Sequence, residues 1–251
     1  RAYPMFIADE GKEFTYFDLS QAEARVVARI ANVQTLRENF DRADSEQGYD
    51  VHRANASRIF KVPYDDVPKA DRDADGEPTK RFLGKRCVHG LNYRMGADKL
   101  AEVCGIPVRQ AESAWYAYHR AFPEIRVWWE AVEAEVRKSG QLFTSLGRRM
   151  FIMERLTPES MESIIAFEPQ STIGDFVSSI IYKLHDDPEW PDTARVILNI
   201  HDALIAQHDP QDHSVVARLM KKHAEAPLLI REEPLVIPIE LKRSVPDAGG
   251  I

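Results

Sequence analysis

The apolar positions fall into a few short strand-like runs separated by long helical stretches. Phe14-Thr-Tyr-Phe17 is short, aromatic and β-prone. Ala24, Val27, Ala28 and Ala31, with Ile30 beside them, follow at the spacing of one helix face. The pattern predicts a strand ending at Asp18 and turning directly into a helix from Gln21 to about Ala31. Ser20-Gln-Ala-Glu23 has the form of a capping box, so Ser20 is expected to cap that helix. Helical spacing recurs over Arg53 to Phe60, Ala97 to Cys104, Gln110 to Phe122 and Ile125 to Ser139, with breaks at Gly105-Ile-Pro107 and Pro123. A longer helix, Glu159 to Leu184, is expected to be interrupted near Pro169. Two apolar runs, beginning at Arg195 and ending at His208, flank the polar pair His201-Asp202 and read as a β-hairpin with that pair at its tip. Leu235 to Leu241 reads as a last strand. Arg1 to Asp9 and the turn Glu10-Gly-Lys12 read as a hairpin entry to the first strand, and the Pro-Asp-Ala-Gly-Gly tail as loose chain.

The stretches between are polar. Asp41, Asp44 and Glu46 precede Gly48-Tyr-Asp50-Val-His52, where Asp50 and His52 suit capping and local hydrogen bonds. Pro63 to Pro78 reads as an acidic loop with five aspartates, but it lacks the twelfth-position glutamate of an EF-hand. Trp115, Tyr116, Tyr118, Phe122, Trp128 and Trp129 read as core aromatics. With 251 residues, 44% of them hydrophobic and 29% charged, the chain can bury the core of one large domain or two smaller ones. No apolar run approaches the roughly 20 residues of a membrane helix. The start, Arg1-Ala-Tyr-Pro, is neither a signal peptide nor an initiator methionine, so a fragment or a processed form is expected. Cys87 and Cys104 have no zinc-site spacing; they read as buried thiols in a reducing compartment. A formal net charge of -7 weighs against nucleic-acid binding by the chain as a whole, so any such role needs a local basic face.

Such a face exists. Arg81, Lys85, His89 and Tyr93 lie four apart on one predicted helix, within a segment that also carries Lys80, Arg86 and Arg94 and no acid. Two cations can grip a polyphosphate while two planar groups stack on a base; a solvated basic face is the plainer alternative. An aspartate at the end of a buried strand, as at Asp18, can hold a divalent cation or be an ordinary strand-end residue. Asp202 can be a second such carboxylate or a turn residue. Arg148 and Arg149 can meet phosphate or pair with nearby carboxylates.

Asp18-Leu-Ser-Gln-Ala-Glu-Ala-Arg25 resembles the first motif of family A DNA polymerases, the DNA polymerase I family, and Asp50-Val-His52 extends the likeness. Arg81-x3-Lys85-x3-His89-Gly-x2-Tyr93 resembles the second motif, and His201-Asp202-Ala203 the third. Gly140-Gln-Leu-Phe-Thr144-Ser-Leu-Gly-Arg-Arg149 and Pro169-Gln170-Ser-Thr-Ile-Gly-Asp175 resemble two further segments of that family. The resemblance implies an α+β fold, an antiparallel-sheet palm (residues 1–40 and 158–251) with an all-helical fingers insertion (41–157). It implies template-directed addition of deoxynucleotides to a primer 3′-hydroxyl by a two-metal-ion mechanism, with Mg²⁺ or alternatively Mn²⁺. Asp18 and Asp202 would be catalytic with Lys85, and Asp18, Asp202 and Leu19 would hold metal. Arg81, Lys85, His89, Tyr93, Gln21 and Glu23 would bind nucleotide, with Glu23 as a gate against ribose. Gln170, His201, Arg148 and Arg149 would contact primer-template DNA. The implied partners are that DNA, deoxynucleoside triphosphates, and the thumb and exonuclease domains of a full-length chain, with no membrane. The implied setting is the cytoplasm of a bacterial or phage-infected cell, with an organelle as alternative.

Several positions depart from the family pattern. His89 replaces a phenylalanine or tyrosine, Arg94 a glycine, Ala166 an asparagine, Ser171 a glycine and Ala203 a glutamate. These departures leave open a second expectation, a catalytically weakened module that binds DNA or nucleotide.

Overall fold

The structure, a computed structural model, describes residues 7–244. The expected hairpin entry from Arg1 and the Gly-rich tail therefore lie largely outside the described residues. In chain order the elements are β1 (Glu13–Leu19), α1 (Ala22–Ile30), α2 (Gln34–Ser45), α3 (Val51–Phe60), α4 (Lys80–Leu91), α5 (Ala97–Cys104), α6 (Val108–Ala121), α7 (Glu124–Ser139), β2 (Gln141–Phe143), β3 (Arg149–Phe151), α8 (Pro158–Asp186), β4 (Arg195–Ile200), β5 (Ala203–His208), α9 (His213–Ala224), β6 (Leu228–Ile230), β7 (Glu233–Leu235) and β8 (Ile239–Ser244). The α+β class is as expected. Contacts divide the chain into two compact units, a sheet unit of residues 1–22 and 171–251 and a helical unit of residues 23–170.

The sheet unit is built on a four-stranded antiparallel sheet in the order β4-β5-β1-β8. β1 is central, and its alternation puts Glu13, Thr15, Phe17 and Leu19 on one buried face. Helix α9 packs against β1, β5 and β8 and buries Val216, Leu219 and Met220. The register sets Asp18 opposite Ala203 on one side and Glu240 on the other.

The helical unit has its own core, in which Leu36, Phe40, Ile59, Tyr118, Phe122, Trp128 and Trp129 are buried. Trp115 is only partly buried, and Tyr116 is exposed, contrary to the expectation of a core aromatic. Helices α3 and α4 approach so closely that a Cβ on Gly84 would lie 2.8 Å from the Cβ of Ala56. Glycine at position 84 is thus a packing requirement. Cys87 and Cys104 are buried free thiols, as expected.

Four local expectations need correction. The stretch containing Asp41 and Asp44 is helical, because Leu36 and Phe40, one turn apart, anchor α2 although most of its residues are polar. Helix α1 starts at Ala22, preceded by Gln21 in the left-handed region at φ 52°, so Ser20 is not its capping residue; the Ser20 N–H instead donates to Pro238 O at 2.8 Å. Helix α8 runs on through Pro169, with Ile164, Ile165, Thr172 and Ile173 buried on either side of the lost hydrogen bond. The last apolar run splits at Pro238, which has no N–H for a ladder: β7 pairs with β6, and β8 joins the main sheet. Asp50 does cap α3, its side chain accepting from the N–H groups of His52 and Arg53 at 2.9 and 3.2 Å. Among the described residues no helix is long and apolar enough to cross a membrane.

Candidate active site

In the sheet unit the strand-end and hairpin-tip aspartates come together. His201, at φ 55°, and Asp202 form the two-residue turn between β4 and β5, and the Leu19 N–H donates to Asp202 O at 3.1 Å. That bond carries the ladder one step past Asp18 and sets the two carboxyl groups within hydrogen-bonding reach of each other. Burial, then the neighbouring Asp202, and then Glu240 push the Asp18 carboxyl up to about 6, against a small opposing effect of Lys242. Two carboxyl groups that cannot comfortably ionise together are a ready seat for divalent cations. Ala203 presents only a methyl group opposite Asp18, so the third nearby acid is Glu240, from β8. Leu19 is buried, His201 is exposed and Gln21 is partly buried.

In the helical unit α4 starts under a Thr79 cap, whose hydroxyl accepts from the Phe82 N–H. Arg81 Nε donates to Asp50 Oδ2 at 2.7 Å, and Nη1 donates to Asp71 Oδ1. One turn on, Lys85 is exposed, and His89 is exposed another turn beyond. The four-residue stripe therefore holds along α4 as far as His89. The helix ends at Leu91, and Tyr93 lies past it, its hydroxyl donating to Glu23 Oε2 at 2.8 Å. That bond fixes Glu23 in the first turn of α1. Near Arg81 the half-buried His52 is driven down to about 4, by burial first and then by Lys85, so it stays neutral at physiological pH. Arg94, which stands where the family pattern has glycine, adopts φ 66° and reaches Glu133 at 3.4 Å.

The remaining positions are dispersed. Arg148 and Arg149 are exposed on the β2–β3 hairpin, with the Arg149 guanidinium 4.2 Å from the Phe151 ring centre. Gln170 is exposed, yet it sits in the middle of α8 and not at a helix start. Sequence reasoning missed three partners: Asp71, which completes the clamp on Arg81; Glu240 beside Asp18; and Asp44, which takes a bidentate pair from the nearly buried Arg25 at 2.6 and 2.7 Å. Each is remote in sequence from its partner. Only the periodic α2 face could have hinted that Asp44 was held in place.

The sequence model of DNA polymerase family A matches residues 1–246. The chain is 30% identical over 243 residues to "DNA polymerase I, thermostable" of Thermus aquaticus, covering 94% of this chain and 27% of that protein. It is 29% identical over 218 residues to DNA polymerase I of Rhizobium leguminosarum, covering 82% of this chain and 20% of that protein. It thus spans about a quarter of the length of such relatives. Among solved structures, the POL domain of Pol1 from M. smegmatis, in complex with DNA primer-template and dNTP, aligns with a TM-score of 0.77 at 23% identity, covering 95% of this chain and 41% of that one. The fold is shared with that domain, and the chain belongs to DNA polymerase family A.

Proposed function

We propose that this chain is the nucleotidyl-transfer core of a template-directed DNA polymerase, adding deoxynucleotides to a primer 3′-hydroxyl. The observation that carries the reading is the Asp18–Asp202 pair, two carboxyl groups in mutual contact with Asp18 raised to about 6. Such a donor set fits hard divalent cations, Mg²⁺ or Mn²⁺, which bind through one or two carboxylates and substrate phosphates. Asp18 and Asp202, with Leu19 as a backbone oxygen donor, would hold two of them. When bound they would supply Lewis acidity toward the primer hydroxyl and the departing pyrophosphate.

The chain's own groups account for the remaining roles. Lys85, exposed on α4, offers an ammonium to triphosphate oxygens, and Arg81 offers the donors that its two aspartates leave over. His89 presents an imidazole face for stacking on sugar or base. Tyr93 holds Glu23 by a hydrogen bond, a fixed carboxylate suited to excluding a ribose 2′-hydroxyl. Gln21 adjoins that turn. Gln170, His201, Arg148 and Arg149 are assigned to DNA, with the Gln170 amide reading minor-groove acceptors common to all base pairs. Primer-template, deoxynucleoside triphosphates, and the thumb and exonuclease domains of a longer chain are the proposed partners; the cytoplasm of a bacterial or phage-infected cell is the proposed setting.

Primer extension with Mg²⁺ and four deoxynucleotides, run beside Asp202→Asn, tests the reading. Template-directed extension that disappears in the variant is expected. The second reading, a module that binds without catalysis, is favoured by Ala203, which leaves no carboxylate opposite Asp18 on β5. Absence of extension at high enzyme concentration with a thumb domain supplied would select it.

A further inference from the structure

A second cluster of ligand-type side chains lies at the other end of β1 and has no part in the proposed reaction. Glu13, at the start of the strand, is 1% exposed; His208, opposite it at the end of β5, is fully buried; and His213 opens α9 with its side chain 27% exposed. One ligand atom from each lies within 4.8 Å of the others. His213 Nδ1 is 3.7 Å from Glu13 Oε1. We propose that Glu13, His208 and His213 form a site for one zinc-class divalent cation, binding β1, β5 and α9 together at the sheet end remote from Asp18.

The surroundings have the anatomy of a metal site. His208 Nδ1–H donates to the carbonyl of Asp209 at 2.8 Å, which fixes the tautomer and makes Nε2, rather than the Nδ1 that lies 3.9 Å from Glu13 Oε1, the nitrogen with a lone pair for ligation. The Thr15 hydroxyl bridges that nitrogen and Nδ1 of His213, donating to the first at 2.7 Å and accepting from the second at 2.9 Å, so an incoming ion would displace the hydroxyl and the His213 Nδ1 proton. Arg243 holds both oxygens of Glu13 at 2.9 Å, orienting the carboxylate while each oxygen keeps a further lone pair. Ligating imidazoles and carboxylates are commonly supported by such outer hydrogen bonds. Two imidazoles and a carboxylate match zinc's nitrogen and oxygen preference, and the exposed side of His213 gives access to water for the fourth position. Hard Mg²⁺, which prefers oxygen donors, is the wrong ion for this set.

The test uses the whole 251-residue chain carrying Asp18→Asn and Asp202→Asn, so that the other carboxylate pair cannot take the ion. After chelator treatment and gel filtration, Zn²⁺ is titrated and bound metal is counted by mass spectrometry. One equivalent is expected, with a Zn²⁺-dependent rise in melting temperature. Adding His213→Ala should weaken uptake by at least about tenfold while circular dichroism stays unchanged. No uptake by the chain with Glu13, His208 and His213 intact, or uptake indifferent to His213→Ala, overturns the proposal. If His213→Ala unfolds the chain, the Co²⁺-loaded protein decides. Two paramagnetically shifted, exchangeable imidazole N–H resonances are expected, and their absence overturns the site.

Discussion

The two motif regions treat their charges in opposite ways. In the sheet unit Asp18, Asp202 and Glu240 are gathered, and burial first, then these neighbouring acids, raise Asp18 to about 6 against the opposing Lys242. In the helical unit Arg81 is matched by two aspartates, Tyr93 is bonded to Glu23, and Gly84 is pressed against Ala56. The first region stores an unresolved repulsion that a ligand can relieve. The second builds Arg81 and Tyr93 into the fold and leaves Lys85 and His89 exposed. Substitution in the sheet unit should therefore cost activity while relieving the fold, whereas substitution in the helical unit should cost both.

Asp18→Asn gives the largest effect and the cleanest contrast. Primer extension should fall on the order of 10³-fold, the usual scale for losing a major electrostatic stabiliser. Without divalent ions, at pH 8, the same variant should be more stable by on the order of 1 kcal/mol, a figure discounted for the solvent exposure of Asp18. The sign follows from the raised pKa. The folded state holds the Asp18 proton more tightly than the unfolded chain, so this group's favourable contribution is complete below the unfolded value of 3.8 and is lost as pH rises through about 6. The advantage of Asp18→Asn should thus shrink as pH falls through 6. Thermal melts in EDTA at pH 8 and pH 5 check this; equal differences at the two pH values would remove the repulsion from the argument.

Arg81→Ala is the counterpart. Extension should fall on the order of 10²-fold through a raised KM for nucleotide. Stability should fall by about 1–2 kcal/mol, because Asp50 and Asp71 lose a charged donor at a site where Arg81 is only 19% exposed. Urea denaturation reads the second effect. A variant with weakened nucleotide binding and an unchanged midpoint would show that the clamp contributes nothing to the fold.

The same contrast explains what the sequence revealed. The strand ending at Asp18, the α4 stripe from Arg81 and the hairpin with His201-Asp202 at its tip were legible as local elements from short-range patterns, whereas the pairing of Asp18 with Asp202 was implied only by the resemblance to the family. The Asp50 cap was also legible, two residues from the N–H groups it accepts. The Asp71 clamp, the Asp44 pair with Arg25 and the Glu13–His208–His213 cluster were not, since their members come from separate elements and only folding brings them together. Helix α2 was hidden by its polarity, as Leu36 and Phe40 are the two residues that it buries. Ser20 misled because the chain enters α1 through a left-handed Gln21, a backbone choice that no side-chain pattern announces. Pro169 misled in the other direction, since packing on both sides of it sustains a helix that local propensity would break.

Gly84→Ala tests the fold without removing a functional group. Alanine improves helix propensity by about 1 kcal/mol, but the new Cβ would meet the Ala56 Cβ at 2.8 Å, too close for either helix to leave unmoved. Overpacking of this kind costs about 1–3 kcal/mol, and the contact is to backbone-near atoms that cannot swing aside. A net loss of about 1 kcal/mol is expected in denaturation midpoints, with a larger relative loss of extension because Lys85 and Arg81 flank the displaced turn.

Arg94 is the smallest and most discriminating case. It holds φ 66°, a region that costs a residue with a Cβ about 1–2 kcal/mol. Its ion pair with Glu133 is long, at 3.4 Å, and about a third exposed on both sides, so it returns at most about 0.5 kcal/mol. Arg94→Gly should relieve the backbone and lose the pair, for a net gain of a few tenths of a kcal/mol. Arg94→Ala keeps the strain and loses the pair, so it should be slightly less stable than the parent. The ordering Gly above Arg above Ala in melting temperature isolates the backbone contribution from that of the side chain. If glycine instead falls below arginine, the side chain's contacts with Glu133 and the Trp129 ring outweigh the strain, and Arg94 joins Arg81 as a cation that the helical unit needs for its fold.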